Sequence, residues 1–123
     1  MAVLITPIPR QPWHDLVVDN LRRLGDLEQQ RAAWIEGEGS CPDATELLCG
    51  LFDDSGLDDL LEAGDVFWPE LDHHLRVMSQ FCERIGTERA AQEILEDPLW
   101  KTLSVLSVKA LEALEARLEP AAL

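Results

Sequence analysis

The residues best suited to chemistry lie near the middle of the chain. Glu70-Leu71-Asp72-His73 is an E-x-x-H step, which places a carboxylate and an imidazole on one face of a helix, and His74 follows it directly. Di-iron bundles need two such steps and two further glutamates. This chain has one step, and its remaining histidine is the distant His14. HEXXH and paired CxxC patterns are absent. No metal and no cofactor are therefore expected, and His73 and His74 read as surface groups beside Glu70 and Asp72. The acidic run from Asp53 to Asp65, DDSGLDDLLEAGD, invites comparison with a calcium loop. An EF-hand needs oxygen ligands at its first, third and fifth positions, then glycine, and a glutamate at the twelfth. Counted from Asp53, Leu57 and Asp58 fall where a ligand and the glycine belong, and Gly64 replaces the glutamate. The pattern fails.

Nucleophilic chemistry has no better footing. GxSxG is missing, and neither GEGS nor SGLDD makes a phosphate-cradling loop after a strand. The three cysteines, Cys41, Cys49 and Cys82, are odd in number and lack paired spacing, so reduced, buried thiols are expected. The chain reads as a non-enzyme.

Charge is the distinctive feature. There are 24 acidic and 10 basic residues, a net charge of −14. Such a chain is poorly suited to nucleic acid or to an anionic membrane surface. Twelve of the acids and none of the bases fall between residues 32 and 75. Solubility would be served by charge spread anywhere. One account of the crowding is local: Asp43, Asp58 and Asp65 stand where helix starts favour negative charge, and a solvated acidic face accounts for the others. The other account is a docking surface for a basic protein. Its candidate residues are Asp53, Asp54, Asp58, Asp59, Glu62, Asp65, Glu70 and Asp72, with Phe67 and Trp68 as anchors. Adjacent helical positions cannot both face the core fully, and Trp is common among binding hot spots. Trp13, Trp34 and Trp100 lie on apolar stripes and are expected in the core.

The elements that position these groups are helical. Trp13, Leu16, Val17, Leu21, Leu24, Leu27, Trp34 and Ile35 recur at helical spacing, interrupted at Gly25 and ended near Gly37. Ser40, Pro42 and Asp43 suit the start of a helix through Leu47, Leu48, Leu51 and Phe52. Ser55 and Asp58 precede a short helix from Leu57 to Ala63, closed by Gly64. A stripe of Leu71, Leu75, Met78, Cys82 and Ile85 follows Pro69. Thr87 begins a shorter helix with Ala90, Ala91, Ile94 and Leu95 inward. Asp97-Pro98 opens the last one, with Leu99, Leu103, Leu106, Ala110, Leu114 and Leu118 inward and Pro120 as its stop. Nothing alternates with period two. The expected fold is all-α: a compact bundle of four main helices plus one or two short ones. Residues 1–12, with Pro7, Pro9 and Pro12, form an extended arm in which Val3, Leu4 and Ile5 can pack on the body. Residues 13–123 form a single helical domain.

No apolar run reaches the length of a membrane helix, and the N-terminus lacks the basic segment of a signal peptide. A cytoplasmic location is expected. A small, acidic, helical chain without catalytic signatures resembles, in composition and class, the bacterial immunity proteins and antitoxins that cap nuclease or deaminase toxins. Those toxins are basic because their substrates are polyanions. No stretch carries a family motif, so the resemblance extends to a role and to no residue. A carboxylate mimic of nucleic acid is a variant of this reading. The alternative is a helical adaptor or homodimer without catalytic activity, pairing through the last helix with Glu112, Glu115 and Glu119 around Lys109 and Arg117.

Overall fold

The computed structural model describes residues 8–118. The segments that carry Val3 to Ile5 and Glu119 to Pro120 lie outside the described residues. Seven α-helices make up the described chain: α1 Pro12–Leu24, α2 Leu27–Trp34, α3 Ala44–Cys49, α4 Leu57–Ala63, α5 Pro69–Arg84, α6 Ala91–Glu96 and α7 Pro98–Glu115. A π-helical stretch, Gly50–Asp54, continues α3. No strand occurs among the described residues, so the fold is all-α. The arm contributes one backbone bridge, in which the Ile8 amide donates to the Arg117 carbonyl at 2.7 Å.

Helix α7 is the centre of the assembly: α1, α5 and α6 all pack on it. The reason is its composition. Trp100, Leu103, Ala110 and Leu114 are buried, and so are Ser104 and Ser107. The Ser107 hydroxyl donates to the Leu103 carbonyl, so a small polar side chain is accommodated without an orphaned group. Leu99 and Leu106, expected inward, are half-buried, and Leu118 is buried just beyond the helix.

The long first stripe divides at Gly25. A Cβ there would come within 2.7 Å of Val108 Cγ2 on α7, so any larger residue would force Val108 to shift where α1 and α7 approach. Asp26 then caps α2 by accepting the Gln29 amide. The junction is fastened by Gln30, which is fully buried. Its Nε2 donates to the carbonyls of Arg23 and Leu24, and its Oε1 accepts the Trp100 indole N–H at 2.9 Å.

Other boundaries differ from the sequence expectation in small ways. Asp43, not Ser40, caps α3 by accepting the Glu46 amide, and Pro42 stays outside the helix. The Ser55 hydroxyl donates to the Leu51 carbonyl and accepts the Leu57 amide, so it joins the π turn to α4. Residues 87–90 are not helical, and the short helix begins at Ala91. Of the four tryptophans only Trp100 is fully buried. Trp13 and Trp34 are half-buried because each indole N–H reaches a surface acceptor, Gln11 Oε1 and the Pro42 carbonyl.

Candidate functional site

Two adjoining concavities lie between α3, its π-helical continuation and α4 on one side and α5 on the other. The first, about 290 Å³, is lined by Leu48, Phe52, Cys82 and Ile85, with Thr45, Cys49 and Thr87 around them. The second, about 530 Å³, is polar and is lined by Asp53, Asp58, Asp59, Glu62 and Glu83. They share Asp53, Asp58, Ser79 and Glu83. Together they make one groove, apolar at one end and acidic at the other.

Local sequence explains the arrangement. Gly50 lets α3 lie against α1, since a Cβ there would sit 2.6 Å from Asn20 Oδ1. The π turn that follows is held by Leu51 and Phe52, both buried. It splits the Asp53-Asp54 pair. Asp53 faces the acidic concavity, while Asp54 lines a separate groove with Leu16, Asn20 and Arg23. Gly56, at φ 76°, then turns the chain into α4. Asp58 and Asp59 occupy the first turn of α4, where the helix dipole favours them. Glu62 stands in its last turn, where a carboxylate is unfavourable.

The groove carboxylates have few partners. The Ser79 hydroxyl donates to Asp58 Oδ1 at 3.0 Å. Arg76 also lines the acidic concavity, but its Nη2 donates to the carbonyls of Leu61 and Gly64 and closes the C-terminus of α4. Every ion pair among the described residues lies elsewhere: Arg10–Asp15, Arg22–Asp19, Arg22–Glu115 and Arg89–Asp97.

The sequence-derived candidates thus separate. Asp53, Asp58, Asp59 and Glu62 converge on one groove. Asp54 shares its groove with Arg23, a cation brought in from α1. Asp65 and Glu70 are exposed but do not line the acidic concavity, and Trp68 rather than Asp65 is the N-cap of α5. Asp72 is not a surface group. It is fully buried and accepts the amides of Val66 and Phe67 at 2.9 and 2.8 Å. These bonds fix the turn into α5, so the carboxylate leaves the docking set. Phe67 packs 5.7 Å from Trp13 and His14, and the Arg117 guanidinium covers the Trp68 ring at 4.2 Å. Both aromatics are half-buried and pack at the corner where α5 begins.

Glu83, Leu48, Phe52 and Ile85 were not singled out by sequence. Glu83 lies outside the cation-free segment and reaches the groove only because α5 packs beside α4. The other three read as ordinary stripe residues, and no local signal distinguishes a stripe residue at a groove floor from one in the core.

The thiols also depart from expectation. Cys49 is exposed, and Cys41 and Cys82 are half-buried; all three are free. Burial pushes the Cys82 thiol up to about 12, with Asp58 adding to the effect. Burial also raises Cys41. The histidines do not assemble. His14 is buried and its Nδ1 accepts the Gln11 amide, His73 is exposed, and His74 Nε2 meets the Leu106 carbonyl at 2.7 Å. Among the described residues no three His, Cys, Asp or Glu side chains converge as a metal site. No helix among them is long and apolar enough to cross a membrane. Comparison with protein-family models, curated proteins and solved structures returns no match for this chain.

Proposed function

We propose that this chain is an acidic helical binding protein that neutralises a basic protein partner, in the manner of an immunity protein or antitoxin acting on a nuclease- or deaminase-like toxin. The observation that carries the reading is the groove: Asp53, Asp58, Asp59, Glu62 and Glu83 line one concavity, and none of them forms an ion pair among the described residues. Like charges held together oppose folding. Such an arrangement is useful when a cationic surface completes it, because a focused field speeds encounter and rejects anionic competitors. Catalysis has no part in this role, since occupying the partner's basic face is enough to block a polyanionic substrate.

The test is co-expression with the product of the neighbouring reading frame. Relief of that product's toxicity, lost in an Asp59→Lys/Glu62→Lys variant with unchanged circular dichroism, is the expected result. Relief that survives the double variant removes the groove from the account. A neighbouring product that is neither toxic nor bound removes the inhibitor reading.

The adaptor or homodimer reading finds less support. The large hydrophobic side chains exposed on α7 are Val105 and Val108. Two valines fall far short of the roughly 800 Å² per partner that a stable interface buries.

A further inference from the structure

We infer that the apolar end of the groove is an anchor pocket, and that the bound segment carries an aliphatic side chain with its lysines or arginines on one side of that anchor only. The inference rests on the binding role proposed above and specifies the partner's sequence.

The argument begins with the floor. Phe52 and Ile85 are buried, Leu48 and Cys82 half-buried, and their exposed remainders face a concavity of about 290 Å³. That space suits one aliphatic side chain. Carboxylates on a wet surface supply steering and selectivity but little affinity, since an exposed ion pair contributes roughly 0–1 kcal/mol. Affinity comes from a desolvated apolar contact ringed by polar groups.

The two ends of this pocket differ, and that difference sets the order of the partner's residues. At one end the hydroxyls of Thr45 and Thr87 bond across the groove at 2.7 Å. Beyond this bridge Asp43 is spent capping α3, and Arg89 is paired with Asp97. At the other end the Asp58–Ser79 bond marks the junction with the acidic concavity, where Asp59, Glu62 and Glu83 line the wall. A cation next to the anchor therefore meets a cluster of carboxylates in one direction, and in the other neutral hydroxyls followed by the single Asp43 carboxylate and the Arg89–Asp97 pair. A segment with cations on both sides would strand one set.

Cys49 provides the readout. It lines the anchor pocket and is exposed, whereas Cys41 and Cys82 are poor nucleophiles because burial raises both thiols. The probes are fluorescent oligolysine peptides carrying a single leucine at the N-terminal end, at the C-terminal end or at the centre, and a control with alanine instead. Binding is read by anisotropy at low salt, and Cys49 alkylation by iodoacetamide is mapped by mass spectrometry. One end-leucine peptide should bind about tenfold more tightly than the alanine control, the effect of burying one leucine side chain, and should slow Cys49 alkylation at saturation. The central-leucine peptide should resemble the control. Equal affinity for all four peptides, abolished by Asp59→Lys/Glu62→Lys, overturns the anchor and leaves the acidic surface standing. Tightest binding by the central-leucine peptide overturns the one-sided order. If no peptide binds and Cys49 reacts freely, both the anchor and the acidic docking surface are overturned.

Discussion

On the side built by α1 and α7, carboxylates meet arginines. Asp15 pairs with Arg10 at 2.7 Å, and Arg22 holds both Asp19 and Glu115. On the side built by α3, α4 and α5, the groove acids meet one arginine, and it is hydrogen-bonded to backbone carbonyls instead. Helices α1 and α7 carry four acids, and α3, the π turn, α4 and α5 carry nine, so the second side is the more acidic. The two sides also differ in whether folding delivers a cation. The first side spends its charge on holding the fold together. The second leaves it unpaired, as the binding role proposed above requires.

Substitutions can break this contrast, and the largest effects should fall where polar groups are buried. Gln30→Leu would leave the carbonyls of Arg23 and Leu24 and the Trp100 indole N–H without partners, and urea unfolding should show a loss of about 3 kcal/mol. Asp72→Ala should cost about as much, roughly 2–3 kcal/mol, because two backbone amides lose a charged acceptor. A neutral Asp72→Ala would show that these two bonds do not hold the turn into α5. Gly50→Ala should cost about 1–2 kcal/mol, since the new methyl group must displace the buried Asn20 side chain.

A smaller effect is expected from acid. Burial, and next the Arg10 charge, lower the His14 pKa from its ordinary value of 6.5, with Asp15 opposing. The folded state thus favours neutral imidazole, which accepts the Gln11 amide. Its contribution is complete above pH 6.5 and falls away as pH drops from there through the lowered folded value. His14→Gln should flatten that part of the stability–pH curve, as read by tryptophan fluorescence during denaturant unfolding. The smallest change should come from Glu62→Lys. It replaces a carboxylate in the last turn of α4 with a cation that the helix dipole favours, and should raise stability by about 0.3–1 kcal/mol at low salt. A loss of stability at that position would mean that the groove acids are already compensated.

Much of the fold was legible because helix signals are local. Asp97-Pro98 marks the start of α7 by itself, and Leu57 to Ala63 is bounded by its own turn chemistry. The excess of acid was legible too. The site was legible only in part. Asp53, Asp58, Asp59 and Glu62 were found because they crowd together in sequence. Asp54 is exposed too but lines the neighbouring groove with Arg23, which its place in the acidic run does not reveal, and nothing in the order of residues reveals that Asp72 is folded back onto the amides of Val66 and Phe67.

The sequence by itself determined the helices and the uneven charge, because helical period, caps and composition act within a few residues. Tertiary structure alone decided which carboxylates share a groove, which one is buried and which face an arginine. Those relations depend on how α5 lies against α4 and α1 against the π turn, and such contacts join residues whose separation along the chain carries no local signal.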